Sequence, residues 1–191
     1  LTGEIPAEIG NLIHLSYLNL GNNQLTGIIP EEICNQGDVN PEIQNNQFCP
    51  PYPICIREYV GDQNLISCGE VIEIWGEWYS MEYTTELNLY NSELTGPIPP
   101  EIFELTNLTY LNLSNNELTG TIPSEIGNLV NLTSLSIYNN QIAGEIPSGI
   151  VNLENLEKLY IQNNQLEGSI TFIGSLTNLE FLYLFNNEFS G

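Results

Sequence analysis

The sequence has almost no positive charge. Only two of its 191 residues are Lys or Arg, against 24 Asp or Glu, which gives a formal net charge of −22. Nucleic-acid binding needs clustered Lys and Arg to contact phosphates, so this composition excludes nucleic acid as a partner. The same charge disfavours attachment to an anionic membrane surface. No apolar run approaches the ~20 residues that a membrane-spanning helix requires.

Side chains suited to catalysis or metal binding are also scarce. His14 is the only histidine, so a histidine-based triad or metal cluster lacks its other members. Asp38 and Asp62 are the only aspartates, and no Asp-rich calcium loop occurs. The cysteines lack the paired CxxC spacing that is typical of zinc sites. We therefore expect no enzymatic activity, no cofactor and no metal.

Internal repetition is what the sequence has in abundance. Copies of the pattern LxxLxLxxNxLxGxIPxxIxxLxx start at Leu108 and Leu132, 24 residues apart, and a copy one residue shorter starts at Leu156. Further copies, some of them partial, start at residues 15, 84 and 179. The LxL alternation predicts one short strand per copy, with its leucines facing inward. Such strands stack in parallel, and each coil buries its apolar stripe against its neighbours.

A fixed asparagine follows each predicted strand. We expect its amide to turn inward and to satisfy backbone groups where the chain leaves the strand. The asparagines at this position are Asn23, Asn116, Asn140, Asn164 and Asn187.

The pattern resembles that of extracellular leucine-rich repeat proteins of the plant-type LTGxIPxxIGNLxNL class. This class includes plant receptor-kinase ectodomains, polygalacturonase-inhibiting proteins, and the secreted or surface proteins of environmental bacteria, which the chain resembles most. The match covers about residues 1–34 and 84–191. The resemblance implies an α/β-type, mostly β solenoid, a right-handed superhelix with one short parallel strand per 23–24-residue coil. This fold is a binding scaffold and does not specify a function.

The repeat is disrupted at residues 33–55, ICNQGDVNPEIQNNQFCPPYPIC. Aligning its NNQF with the NNQL of residues 22–25 places Tyr52-Pro53 where Ile-Pro stands elsewhere, so the segment is a decayed repeat. Pro41 falls on a strand position and cannot donate to a strand ladder. We therefore expect stacking to stop here, as in a C-terminal cap.

Three of the four cysteines lie in this disrupted segment. An even number of cysteines in a secreted-type repeat protein indicates two disulfides. Cys34, Cys49, Cys55 and Cys68 allow three pairings. We favour Cys34–Cys55 with Cys49–Cys68, because these bridges join the last regular coil to the decayed one and fix the tail.

A cluster of aromatic residues follows Cys68. Trp75, Trp78 and Tyr79 precede the first strand of a new array, and we interpret them as an N-terminal cap, with an exposed ligand platform as the alternative. The predicted organisation is the end of a first array with its C-cap (1–68), a linker and aromatic N-cap (69–83), and a second array (84–191). Because the sequence begins and ends within a repeat, we expect a fragment of a longer chain, or ends that dock onto neighbouring copies.

The outward strand positions of the second array carry an aromatic residue in every copy, with Asn or Gln beside it. Tyr and Asn suit a recognition surface for protein or polysaccharide on the concave face, although Tyr also favours strands for its own sake. Tyr17 and Asn19 occupy such positions in the first array. The candidate ligand-binding residues are Tyr90, Tyr110, Asn112, Tyr138, Tyr160, Gln162, Phe181, Tyr183 and Phe185.

Asn107, Asn112 and Asn131 begin N-x-[ST] sequences and are candidate glycosylation sites. These sequences arise almost automatically from the NLT and NLS of the repeat. A glycan on Asn112 would stand on the concave sheet and block it.

Two functions are compatible with these features. The first is a non-enzymatic extracellular structural or adhesive module, which assembles end to end with itself or another surface protein into a larger surface structure or filament. The alternative is a receptor- or inhibitor-like domain that recognises protein or polysaccharide on its concave Tyr/Asn face. Both place the protein outside the cell, secreted or at the cell surface.

Overall fold

The computed structural model describes residues 1–190. The chain divides into two compact units. Unit 1 comprises Leu1–Ile72 and Trp78–Tyr83, and unit 2 comprises Glu73–Glu77 and Thr84–Gly191.

Unit 1 is a short stack of coils. Strands β1 (Thr2–Gly3), β2 (Gln24–Ile28) and β3 (Gln47–Cys49) pair in parallel in that order. One 3₁₀ helix follows each of the first two strands, and two follow β3: Ala7–Asn11, Glu31–Asn35, Arg57–Tyr59 and Leu65–Cys68. One apolar core runs through these coils and consists of Ile5, Leu18, Leu25, Ile29, Ile33, Ile43, Phe48, Ile56 and Val60.

Stacking does not stop at Pro41, so that prediction was wrong. The backbone N–H of Leu20 donates to the carbonyl of Glu42 at 2.7 Å, and β3 continues the strand ladder. A further short coil then follows, in which the N–H of Asn45 donates to the carbonyl of Asp62 at 2.8 Å. The physical reason is that proline removes one donor only, while the neighbouring ladder bonds remain intact.

Gln63 closes this last, shortened coil. Its Nε2 donates to the carbonyls of Val60 and Ile43 at 2.8 and 3.1 Å, and its Oε1 accepts from the N–H of Phe48 at 3.1 Å. Asn46 makes the equivalent bonds one coil earlier. The segment Gly61–Asn64 is therefore a hidden copy of the repeat, with a glutamine in place of the asparagine.

Two disulfides fasten the end of unit 1. Cys34 bonds to Cys55 and Cys49 bonds to Cys68, with Cα–Cα distances of 5.7 and 5.3 Å. This is the pairing that we favoured among the three. Cys49 and Cys68 are buried, whereas Cys34 and Cys55 are exposed.

A hairpin of β4 (Val71–Ile74) and β5 (Glu77–Ser80) carries the aromatic cluster. Trp75 and Gly76 form its turn with φ of 49° and 83°, as a type I′ turn requires. Tyr79 is 3% exposed, while Trp78 is 48% exposed. The predicted role of residues 69–83 as a linker and N-terminal cap stays a prediction.

Unit 2 contains five regular parallel strands in register: β6 (Glu86–Asn88), β8 (Tyr110–Asn112), β10 (Ser134–Ser136), β12 (Lys158–Tyr160) and β14 (Phe181–Tyr183). Their central leucines stack inward and are at most 3% exposed at Leu87, Leu111, Leu135 and Leu159. The predicted solenoid with one short parallel strand per coil is confirmed.

Each coil of unit 2 also contributes a second short strand, which we did not predict. These strands are β7 (Thr95–Pro97), β9 (Glu117–Thr119), β11 (Ala143–Glu145), β13 (Gln165–Ser169) and β15 (Glu188–Ser190). They pair as β7–β9 and as β11–β13–β15. The 3₁₀ helices of unit 2 span Pro100–Glu104, Ser124–Asn128, Ser148–Asn152 and Thr171–Ser175.

The recurring asparagine turns inward as predicted. Nδ2 of Asn116 donates to the carbonyls of Leu89 and Leu113 at 2.8 and 2.9 Å, and its Oδ1 accepts from the N–H of Leu94 at 3.0 Å. Asn140, Asn164 and Asn187 repeat this arrangement. We call this series the inner asparagine ladder, because it satisfies backbone groups inside the stack at every coil.

The asparagine one position earlier forms a second series, the outer asparagine ladder, which we did not predict. Its members have positive φ, for example 53° at Asn139 and 58° at Asn163. Nδ2 of Asn139 donates to Oδ1 of Asn115 at 2.5 Å, and Asn163 bonds to Asn139 in the same way. Asparagine is among the few non-glycine residues that tolerate this backbone region, which explains the NN pair in the repeat.

Candidate functional site

The strand register of unit 2 arranges the solvent-facing side chains in three columns, which together we call the sheet face. The first column contains Glu86, Tyr110, Ser134, Lys158 and Phe181. The second contains Asn88, Asn112, Ser136, Tyr160 and Tyr183. The third continues two residues beyond the strands and contains Tyr90, Ser114, Tyr138, Gln162 and Phe185.

The candidate ligand-binding residues therefore lie on one face but not in one column. Tyr110 and Phe181 belong to the first column, Tyr160 and Tyr183 to the second, and Tyr138 to the third. Sequence alternation places them on the face, whereas the columns follow from the register. Whether they bind a ligand stays a prediction.

The aromatic rings concentrate in the last two coils. The rings of Tyr160 and Tyr183 meet edge to face with their centroids 5.1 Å apart. The ring centroids of Tyr183 and Phe185 are 6.2 Å apart. Phe181, Tyr183 and Phe185 are 43%, 47% and 56% exposed. Nζ of Lys158 lies 5.9 Å from the Phe181 centroid, a cation–π contact.

The middle of the face is more closed. Ser114, Ser134 and Ser136 have solvent-facing positions but are at most 8% exposed, so larger side chains around them cover them. Desolvation, followed by the neighbouring hydroxyls of Tyr90 and Tyr110, raises the pKa of Tyr138 above its ordinary value. The raised pKa keeps the Tyr138 hydroxyl protonated to a higher pH than an ordinary tyrosine, so it remains a hydrogen-bond donor on the face.

Two polar atoms on the third column have no partner among residues 1–190. These atoms are Oγ of Ser114 and Oε1 of Gln162, and both are buried. Sequence reasoning selected Gln162 for its type but had no means of showing that its oxygen is unpaired, because that depends on the two adjacent coils.

Tyr110 and Asn112 form a pair within one strand. Nδ2 of Asn112 donates to the Tyr110 hydroxyl at 3.0 Å, and its Oδ1 accepts from the N–H of Ser114 at 3.1 Å. Both ends of the Asn112 amide are thus engaged, whereas Asn107 and Asn131 are exposed. Glycosylation at any of the three asparagines stays a prediction.

Unit 1 has its own Tyr-x-Asn pair, and a carboxylate occupies it. The Tyr17 hydroxyl donates to Oε1 of Glu42 at 2.8 Å, and Nδ2 of Asn19 donates to Oε2 of Glu42 at 2.6 Å. Sequence reasoning missed Glu42. The available signal was its place in the decayed repeat, which aligns it with the position directly across the ladder from Asn19.

Two open grooves lie away from these pairs. One of about 420 Å³ in unit 1 is lined by amides and Asp62, and it includes Asn46 and Gln63. One of about 390 Å³ in unit 2 is lined by Glu157, Glu180 and neighbouring Asn and Thr side chains. Among residues 1–190, no group of three or more His, Cys, Asp or Glu side chains is arranged to hold a metal ion. No helix in that range is long and apolar enough to span a bilayer.

Comparison with known families and structures agrees with the repeat pattern. A family model described as a leucine-rich repeat region matches residues 80–190, and a second, for a single leucine-rich repeat, matches residues 14–36. No curated protein shows significant similarity to the chain.

Several solved plant receptor structures are similar. The plant peptide hormone receptor RGFR1, in complex with RGF2, is 29% identical over 98% of this chain and 27% of its own, with a TM-score of 0.55. The Arabidopsis receptor kinase HAESA, in complex with the peptide hormone IDA and the co-receptor SERK1, is 31% identical over 100% of this chain and 28% of its own, with a TM-score of 0.55.

The ectodomain of the Arabidopsis thaliana receptor kinase SOBIR1 is 33% identical over 71% of this chain and 74% of its own, with a TM-score of 0.56. The chain thus spans less than a third of the length of RGFR1 and HAESA. These comparisons support the plant-type class, and nothing in them bears on the bacterial surface proteins that the sequence resembled.

Proposed function

Because the chain belongs to the leucine-rich repeat family, whose model matches residues 80–190, we propose that it is a non-enzymatic recognition module that binds a peptide or protein segment across the sheet face of unit 2.

The observation that carries this proposal is the exposed aromatic group at one end of the sheet face. Phe181, Tyr183 and Phe185 expose between 43% and 56% of their surface, on a sheet whose first four inner leucines are at most 3% exposed. Rigid aromatic side chains provide contact area at low entropic cost and are enriched at binding hot spots. The short parallel strands hold these rings in place before any ligand arrives.

The similar structures favour peptide recognition over the other functions that the sequence suggested. RGFR1 and HAESA are described in complex with the peptide ligands RGF2 and IDA. We therefore rank recognition above end-to-end assembly or adhesion, and we rank a peptide or protein ligand above a polysaccharide.

The proposed location is extracellular. Both bridges, Cys34–Cys55 and Cys49–Cys68, need an oxidising compartment to form and persist. The net charge of −22 keeps such a domain soluble and discourages non-specific association through self-repulsion.

A displayed library of random peptides tests the proposal. We expect captured peptides to bind the wild type and to lose about 30-fold in affinity, or about 2 kcal/mol, when Tyr160→Ser and Tyr183→Ser are combined. Titration calorimetry with the synthetic peptides measures the loss, and the melting curve of the variant checks that unit 2 remains folded.

Val130→Ser provides the matched control. Val130 is 48% exposed and lies outside the sheet face, so its replacement should leave the affinity unchanged. Peptides that bind the Tyr160/Tyr183 variant as tightly as the wild type would refute the proposed site. Binding of a soluble neutral glucan in place of any peptide would instead point to polysaccharide recognition.

A further inference from the structure

The Tyr-x-Asn pair has the same local geometry in both units. Asparagine Nδ2 donates to the tyrosine hydroxyl at 3.1 Å for Asn19 and Tyr17, and at 3.0 Å for Asn112 and Tyr110. In each pair, asparagine Oδ1 accepts from the backbone N–H two residues later, at 3.0 and 3.1 Å. The side chains are therefore oriented alike, and what binds one pair is informative about the other.

In unit 1 this pair binds a carboxylate in a two-point arrangement. Oε1 of Glu42 accepts from the hydroxyl of Tyr17, and Oε2 accepts from the amide of Asn19. Hydrogen bonds to an ionised acceptor are shorter and stronger than those between neutral groups. Glu42 thus acts as an internal ligand and identifies the chemistry that the pair recognises.

In unit 2 the corresponding carboxylate is missing. Glu42 pairs with Asn19 across the ladder, and Ser136 pairs with Asn112 in the same register. A serine is too short to span the pair and has no charge. Among residues 1–190, the hydroxyl proton of Tyr110 and the second amide proton of Asn112 have no acceptor. The donors of unit 2 therefore match those of unit 1, but their acceptor is absent.

The only cation of unit 2 lies on the same face. Ser134 pairs with Tyr110 on one side and with Lys158 on the other, which places Lys158 two strands, or about 10 Å, from Tyr110. Lys158 contacts the Phe181 ring and makes no ion pair within residues 1–190. The net charge of −22 opposes an anion at long range, but charges beyond about 8 Å are screened at physiological salt. Glu86 pairs with Tyr110 from the adjacent strand, and Lys158 lies one strand farther away on the other side, so these two charges oppose each other. The two-point arrangement of donors therefore carries the preference for a carboxylate.

We propose that Tyr110 and Asn112 bind the side-chain carboxylate of a Glu or Asp in the peptide ligand, as Tyr17 and Asn19 bind Glu42. This inference rests on the proposed recognition function and narrows its ligand to a peptide with an acidic residue. The aromatic residues of the last coils then contact apolar side chains of the same peptide.

A titration followed by NMR tests the carboxylate subsite directly. The probe is N-acetylglutamic acid α-amide, which carries only a side-chain carboxylate, and the control is the isosteric N-acetylglutamine α-amide. We expect the side-chain amide resonances of Asn112 to shift saturably with the acid, in the millimolar range, and not with the neutral analogue. The resonances of Asn19 should not respond, because Glu42 already occupies that pair.

Two reciprocal substitutions reverse which Tyr-x-Asn pair has a carboxylate acceptor. Ser136→Glu brings a carboxylate to the position of Glu42 and should abolish the response of Asn112, while Ser136→Ala should retain it. Glu42→Ser opens the pair in unit 1, and Asn19 should then respond to the acid. Tyr110→Phe removes one donor and should weaken the response of Asn112 about tenfold.

The peptides selected for the proposed function provide the second readout. Replacing their acidic residue by Gln should weaken binding about tenfold in the wild type and by a smaller factor in Tyr110→Phe, which keeps only the Asn112 donor. An unresponsive Asn112 in the wild type, or an unresponsive Asn19 in Glu42→Ser, would overturn the inference. Peptides that need Tyr160 and Tyr183 but tolerate loss of every acidic residue would overturn it while leaving the proposed function intact. Peptides that ignore Tyr160 and Tyr183, with Asn112 still responsive, would overturn the proposed function alone.

Discussion

Unit 1 and unit 2 build the same coil by different means. Unit 2 repeats a 23–24-residue pattern without a single cysteine, and its stability comes from stacked leucines and the inner asparagine ladder. Unit 1 has fewer coils, one decayed and one shortened, and two disulfides hold them. The difference shows that covalent links replace neighbours where a stack of coils becomes irregular, because the last coils have less apolar surface to share.

The two units also differ in whether their Tyr-x-Asn pair has an internal acceptor. The Tyr-x-Asn pair of unit 1 is satisfied internally by Glu42, while that of unit 2 keeps two donors available. Unit 1 thus satisfies this pair with its own carboxylate, whereas the equivalent pair of unit 2 has no such partner among residues 1–190.

Reduction of both disulfides should produce the largest change in stability of unit 1 relative to unit 2. The bridges join residues 21 and 19 positions apart, so each should contribute about 3 kcal/mol to the free energy of unfolding of unit 1. Unit 2 contains no cysteine and should not change. Hydrogen exchange measured by mass spectrometry before and after reduction and alkylation resolves the two units. Equal loss of protection in β2 and β10 would show that the units are not energetically separate.

Removal of the Gln63 side-chain amide, which closes the shortened coil, should have an intermediate effect on stability. Gln63→Ala removes the side-chain partner of the Val60 carbonyl and of the Phe48 N–H, and it leaves the Ile43 carbonyl with Asn46 alone. We therefore expect a loss of about 2 to 3 kcal/mol in unit 1. Asn164→Ala removes the equivalent amide of unit 2 and should cost a similar amount there. Urea unfolding of the two variants gives both values.

Gln63→Asn is the matched control for that comparison, since it keeps the amide but shortens the side chain by one methylene. Its loss should lie between those of the wild type and Gln63→Ala. A negligible loss for Gln63→Ala beside a full loss for Asn164→Ala would mean that the shortened coil does not depend on this amide.

The smallest effect concerns Tyr52, which stands in the decayed repeat. Burial raises the pKa of Tyr52 to about 12, and its hydroxyl donates to the carbonyl of Phe48 at 3.1 Å. Because the folded pKa is raised, its contribution to stability is complete below pH 10 and declines as the pH rises toward about 12. Tyr52→Phe should therefore destabilise unit 1 by about 1 kcal/mol at neutral pH, and this difference should shrink at alkaline pH. Paired melting curves across that range measure it, and a constant difference would contradict the assignment.

The strands, the inward leucines and the inner asparagine ladder were predictable because each follows from a single copy of the repeat. The outer asparagine ladder was not predicted, since its bonds join side chains in different coils. The prediction that stacking stops at Pro41 was wrong because proline removes only one backbone donor, while the neighbouring ladder bonds remain intact. The shortened coil was not predicted because Gln63 is a different residue type from Asn46 and lies closer to the preceding amide residue than the repeat period requires.

The features of the candidate site were likewise predictable only where they follow from a single copy of the repeat. Alternation within a strand was enough to select Tyr110, Asn112 and Tyr160 as solvent-facing residues. The unpaired oxygen of Gln162, the column that each aromatic residue joins and the role of Glu42 all depend on the register between coils. Register is a tertiary property, and a single sequence specifies it only where the period is unbroken.

Gln63 also shows that one turn of this solenoid can close with fewer residues than the regular repeat uses. Asn23 and Asn46 are 23 positions apart (46 − 23), whereas Asn46 and Gln63 are 17 apart (63 − 46). One additional methylene in the amide side chain accompanies the removal of six residues from the coil (23 − 17). A designer who wishes to end a repeat array could therefore graft a short closing turn built on glutamine, in place of a separate capping domain.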